Sequence, residues 1–272
     1  MRRRSLFVLA LVAALVMLAV PASAIVYGEP DEGEHPNVGA YLIPRDDGGL
    51  RRICSGTLIS STVFLTAGHC VLGADGLGID RSDSFVTFDE EMDDDGDGLV
   101  DDDLDTLFQG TAIPHPQAFT GGFNDPHDIA VIVLDDEVTG IAPAQLPTAG
   151  LLDQMKSSLR NQSFTAVGYG TIRESRKQGP QGILPNTQRR KALQSFLSLQ
   201  KAWLTLAMNE ATGNGGTCFG DSGGPHFLGG FESNLIVSIT VLGDAVCKAT
   251  DKTYRVDTQS ARDFLDDFVA LP

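Results

Sequence analysis

The chain has 272 residues, 42% of them hydrophobic, and carries 36 acidic against 20 basic residues for a net charge of −16. That is enough apolar material for one large domain with a sizeable core. So acidic a surface repels nucleic acid and anionic membrane, and neither is expected as a partner.

The N-terminus reads as a targeting segment. Arg2, Arg3 and Arg4 precede an apolar run from Leu6 to Val20, then Pro21 and the small residues Ala22, Ser23 and Ala24. This is the succession of a secretory signal, with cleavage expected after Ala24. The apolar run is shorter than the roughly 20 residues that a membrane span needs. Residues 1–24 are therefore expected to be a signal peptide and residues 25–272 a secreted protein. In such a protein an even number of cysteines, here Cys54, Cys70, Cys218 and Cys247, suggests disulfides. Four cysteines allow three connectivities, and spacing alone does not choose among them.

Short apolar runs then recur between Gly, Pro, Asn and Asp. Val38–Ile43, Gly56–Ile59, Phe85–Phe88, Ile129–Leu134, Ser163–Val167 and Leu235–Leu242 read as strands. Many short strands with little helix predict a barrel or a sandwich. Pro143, Pro147 and Gly150 interrupt the pattern and place a linker near 141–151. Residues 170–191 are polar, and Arg173, Arg176, Lys177, Arg189, Arg190 and Lys191 make them basic. They read as a solvated surface loop. Asn161-Gln162-Ser163 fits a glycosylation sequon. Ala261, Phe264, Leu265 and Phe268 fall at helical spacing and predict an amphipathic C-terminal helix.

Three short motifs carry chemistry. Thr66-Ala67-Gly68-His69-Cys70 offers a histidine after an apolar stretch. Asp128 stands at the mouth of the strand Ile129–Leu134. Gly220-Asp221-Ser222-Gly223-Gly224-Pro225 sets a serine among glycines. A serine hydroxyl attacks only when a base takes its proton and nearby donors stabilise the oxyanion. Glycines let the backbone turn so that the N–H groups of Gly220 and Ser222 can aim at one spot. In order and context these motifs resemble those of the trypsin/chymotrypsin-like serine proteases, with Gly68 replacing an alanine. The similarity runs from Ile25 to the C-terminus.

The resemblance implies an all-β fold: two antiparallel six-stranded barrels, the active site between them, and a C-terminal helix packed on the second. The first barrel is expected over about 25–145, the second over about 150–257 and the helix over about 258–269. The resemblance makes Ser222 the nucleophile, His69 the base and Asp128 the residue that orients His69. It implies an endopeptidase acting on polypeptides through an acyl-enzyme. A monomer is expected, with no cofactor for catalysis. It pairs Cys54 with Cys70 and Cys218 with Cys247. Ile25-Val26-Tyr27-Gly28 is similar to the start of active family members, with Tyr27 departing from it. Cleavage after Ala24 would expose the Ile25 ammonium to pair with Asp221. The specificity pocket falls on Gly216, Thr217, Ser238, Thr240 and Lys252. Gly216 brings no carboxylate to the base, so preference for Lys or Arg is not expected. With Lys252 turned outward the pocket is neutral; turned inward, Lys252 would select acidic side chains.

Residues 89–105 hold eleven acids and no base. Asp93, Asp95, Asp97 and Gly98 match positions 1, 3, 5 and 6 of a calcium loop. Leu104 stands where an EF-hand needs a bidentate acid, so Asp101 or a neighbouring acid would have to close a non-standard site. A structural calcium is expected there. The alternative to an enzyme is a catalytically silent or calcium-dependent binding protein on the same fold.

Overall fold

A computed structural model describes residues 25–94, 96, 99–101, 103–173 and 182–272. The expected signal peptide, 1–24, lies outside the described residues, as do Asp95, Asp97 and Gly98 of the acidic run.

The first barrel is built from β2 (Val38–Pro44), β3 (Leu50–Ser60), β4 (Val63–Thr66), β5 (Ser84–Thr87), β6 (Phe108–Pro114) and β7 (Ala130–Leu134). It closes in the order β2-β3-β4-β7-β6-β5. Closure removes sheet edges and lets Val38, Leu58, Phe64, Val86 and Val131 meet inside, all fully buried. The second barrel comprises β8 (Ser163–Gly168), β9 (Arg190–Leu199), β10 (Trp203–Ala207), β11 (Pro225–Leu228), β12 (Ile236–Gly243) and β13 (Thr250–Arg255). Its order is β9-β10-β13-β12-β11-β8, and pairing of β8 with β9 closes it. Two six-stranded antiparallel barrels are therefore present, as the resemblance implies.

Three details differ from the sequence reading. Ile25–Pro30 does not belong to the first barrel. Val26 bridges Gly216, and β1 (Glu29–Pro30) pairs with Lys191 and Arg190 of β9. The basic run is not a solvated loop at its end, because Arg189, Arg190 and Lys191 are buried. The Arg189 guanidinium donates to Asp31 Oδ2 at 2.9 Å, to the Phe88 carbonyl at 2.8 Å and to the Tyr169 hydroxyl at 3.1 Å. It thereby ties the N-terminal segment to both barrels. Burial pushes the Asp31 carboxyl up, but the hydrogen bonds and charge of His35, with the charge of Arg189, carry it down to about 2. The C-terminal helix, Gln259–Leu265, is shorter than expected. Thr258 caps it by accepting from the Ala261 N–H. It also reaches the first barrel, where Phe264 packs 5.2 Å from His115.

Candidate active site

His69 is placed by a helix start and a disulfide. β4 ends at Thr66, Ala67 is extended (φ −89°, ψ 145°), and the helix Gly68–Gly76 begins with His69 in its first turn. Cys70, next in the chain, is bonded to Cys54 on β3. Asp128 stands just before β7, which pairs with β4, so its carboxylate lies beside His69. The carboxylate grips that residue twice: Oδ2 lies 2.9 Å from His69 Nδ1, and Oδ1 accepts the His69 backbone N–H at 2.8 Å. Asp128 is 1% exposed and the His69 side chain 33%. A buried acid thus fixes the orientation of a ring whose other nitrogen is accessible.

Ser222 comes from the second barrel. Its carbonyl accepts the Ser55 N–H at 2.9 Å, one residue beyond Cys54, and lies 3.9 Å from Cys70 Sγ. The serine loop is therefore seated against β3 and the helix that carries His69. Among the described residues Ser222 Oγ makes no hydrogen bond. The link from a nucleophile to its base is often loose until a reactant binds. The loop is further fixed by the bond from Gly223 N–H to the Thr240 carbonyl, 2.9 Å, and by the disulfide Cys218–Cys247. Gly220 has φ +95° and Gly223 φ +80°, conformations that favour glycine. Among the described residues the N–H groups of Gly220 and Ser222 are not taken up by any acceptor, which leaves them free for an oxyanion.

Asp221 is fully buried. Its Oδ1 accepts the Gly170 N–H at 2.7 Å and its Oδ2 the Cys218 N–H at 2.9 Å. Burial pushes the carboxyl up to about 7, against the opposing pull of those N–H groups and of the Arg52 charge. The Arg52 guanidinium lies against the Gly220 α-carbon. Ile25, its expected partner, is buried in the segment that bridges Gly216, and its carbonyl accepts the Gly28 N–H. Neither Gly170 nor Arg52 was singled out from sequence. Gly170 had a signal in Val167-Gly168-Tyr169-Gly170, since a side chain at Gly168 or Gly170 would strike the Asp221 carboxylate.

Of the expected pocket residues, Thr217 and Thr240 line a cavity beside Ser222. Gly216 does not line it, and a Cβ there would lie 2.5 Å from Gln194 Nε2 and 2.7 Å from Met208. Ser238 is buried behind the wall and accepts from the Thr253 hydroxyl at 2.7 Å. Lys252 is not a pocket residue: its Nζ stands 3.9 Å over the Phe123 ring and 4.7 Å over Trp203, on the opposite face of β13. In the acidic run, the Asp101 carboxylate accepts the Asp94 N–H at 2.7 Å and that of Asp93 accepts the Gly96 N–H at 2.8 Å. Asp89, Glu90, Glu91, Asp94, Asp101 and Asp103 surround one open hollow.

Comparison with known proteins agrees with this arrangement. The chain is 26% identical over 220 residues to CLIP domain-containing serine protease B15 of Anopheles gambiae, covering 75% of this chain and 58% of that protein. It is 29% identical over 196 residues to the proclotting enzyme of Tachypleus tridentatus, covering 66% and 49%. With CLIP domain-containing serine protease B8 of Anopheles gambiae it shares 30% identity over 115 residues, covering 38% and 27%. The chain thus spans less than two thirds of the length of each of these relatives. The family model Trypsin matches residues 25–265, the whole of both barrels, and the chain belongs to the trypsin family of serine proteases.

Proposed function

We propose that this chain is a secreted serine endopeptidase. The observation that carries the reading is the double grip of Asp128 on His69, at 2.9 and 2.8 Å, next to the loop that presents Ser222. Ser222 attacks the scissile carbonyl while His69 takes its proton. The N–H groups of Gly220 and Ser222 hold the oxyanion, and His69 passes the proton to the leaving amine. The acyl-enzyme is then cleared by water through the same groups. Asp128 keeps the His69 tautomer and offsets the imidazolium charge. The substrates are polypeptides and the enzyme acts as a monomer.

Secretion is supported by the N-terminal succession of charged, apolar and small residues and by two disulfides, which persist in oxidising compartments. Among the described residues no helix is long and apolar enough to cross a membrane. Removal of residues 1–24 would free the Ile25 ammonium, which on this reading enters the second barrel and neutralises Asp221. Its neighbour Val26 is already anchored to Gly216.

The hollow in the acidic run is walled by carboxylates, the oxygen donors that calcium takes. Of the acids expected as ligands Asp101 lines it, and Asp101 with the acids beside it would hold the ion, which ties down a loop and adds no catalytic group.

Labelling with a serine-directed fluorophosphonate, repeated on Ser222→Ala, tests the enzyme reading. Absence of labelling in the intact protein would leave the silent or calcium-dependent binding protein, which the acidic hollow favours.

A further inference from the structure

The cavity beside Ser222 has a volume of about 180 Å³, room for one side chain, and Thr217, Cys218, Thr240 and Gly243 form part of its wall. Asp251, on β13, adjoins that wall and is 0% exposed. Its Oδ2 accepts from the Thr217 hydroxyl at 2.7 Å and from the Gln194 amide at 2.9 Å. Among the described residues its Oδ1 has no hydrogen-bond partner. Thr217 therefore touches both the cavity and the carboxylate. Gly243, a second wall residue, is the register partner of Asp251 across β12 and β13, and has no side chain to stand between them.

The facing of β13 follows from strand alternation. Lys252 and Tyr254 point one way, Lys252 over Phe123 and Trp203 and the Tyr254 hydroxyl to Asp125 at 3.0 Å. Asp251 and Thr253 point the other way, to Thr217 and to Ser238. Among the described residues the only ion-pair neighbour of Asp251 is His226, whose Nε2 lies 3.6 Å from Oδ2. Burial lowers the pKa of His226, so the ring supplies no full positive charge near neutrality. A buried carboxylate with an unused oxygen and no cation is costly. A cationic guest removes that cost, whereas an apolar guest leaves it in place.

We propose that Asp251 is the specificity-determining residue of this cavity and selects a lysine or arginine side chain on the amino side of the scissile bond. The proposal rests on the protease reading above. It puts the charge on β13 and not at Gly216, and it replaces the neutral pocket that the sequence leads one to expect. A guest ammonium or guanidinium passing Thr217 meets Oδ1, its free acceptor.

The test uses peptides that differ only in the residue before the cleaved bond. Arg and Lys peptides are expected to show kcat/KM at least ~100-fold above the Leu peptide. Asp251→Asn, which keeps an acceptor for Thr217, is expected to lower that ratio at least ~100-fold. Benzamidinium, a cation with no scissile bond, gives a readout independent of turnover. Calorimetry should detect its binding to the wild type and a loss of at least ~10-fold in Asp251→Asn. A wild-type enzyme that prefers Leu or Glu, or an Arg-to-Leu ratio unchanged in Asp251→Asn, overturns the assignment. If Ser222 does not react with fluorophosphonate, the protease reading fails, and benzamidinium binding still decides the role of Asp251. If Asp251→Asn does not fold, the wild type decides alone: no preference for Arg or Lys, or no benzamidinium binding, overturns the proposal.

Discussion

Freeing the α-amino group of Ile25 is expected to stabilise the protein selectively at neutral and higher pH. Asp221 is fully buried, and its carboxyl stands at about 7 against an ordinary 3.8. A group whose pKa is raised in the fold binds its proton more tightly there than in the unfolded chain. The stability it contributes is present below 3.8 and is lost as pH rises to about 7. A shift from 3.8 to about 7 corresponds to about 4 kcal/mol of lost stability. An ammonium held against the carboxylate reverses that loss. The experiment compares a chain that starts at Ile25 with one that starts at Ala24, whose ammonium lies one residue too far out. Urea unfolding is followed from pH 4 to 8.5. The longer chain should lose stability between pH 4 and 7, while the chain from Ile25 holds its own. The gap at pH 8 should approach 4 kcal/mol, a difference on the order of 10 °C in Tm. Parallel pH profiles for the two chains, or a gap that survives in Asp221→Asn, would refute the reasoning.

Replacing Ser222 or His69 with Ala is expected to lower peptidase turnover by several orders of magnitude with an unchanged unfolding midpoint, and Asp128→Asn by about 10⁴-fold. Near-normal turnover in Ser222→Ala would end the triad assignment. Gly170→Ala places a methyl group against the Asp221 carboxylate that the Gly170 N–H now serves. It should cost about 1–3 kcal/mol in denaturant unfolding and at least ~10-fold in turnover, through displacement of the loop that carries Ser222. Calcium is expected to raise Tm more than turnover. At a hundredfold excess over Kd the gain is about 2.7 kcal/mol, and a Tm indifferent to chelator would mean a bare acidic loop.

Much of the fold was legible because strand formation is a local matter. β2, β7, β8 and β12 lie where alternating or continuous apolar residues sit between turn formers. β9 was missed. Its first residues, Arg190 and Lys191, read as surface by charge, yet Lys191 Nζ reaches Glu34 at 2.8 Å while its stem is buried. β13 was missed for a similar reason, since Thr250–Arg255 carries an acid and two bases whose partners are distant in sequence. The two disulfides followed from the resemblance, and spacing alone would have left three pairings.

The sequence by itself determined the family and brought out His69, Asp128 and Ser222, with the loop that presents the serine, as the candidate residues. Each of these resides in a few contiguous residues whose chemistry does not depend on what packs against them. Only the tertiary structure decided which residues surround the cavity. Counting back from Tyr254 pointed to Lys252, but Tyr254 itself turns away from Thr217, with its hydroxyl on Asp125, and Lys252 shares its face of β13. Because strand side chains alternate, a shift of one residue exchanges the two faces. Asp251 turns toward Thr217 and Lys252 toward Trp203. The charge beside the cavity therefore depends on which face of β13 packs against Thr217, which no contiguous stretch of the chain contains.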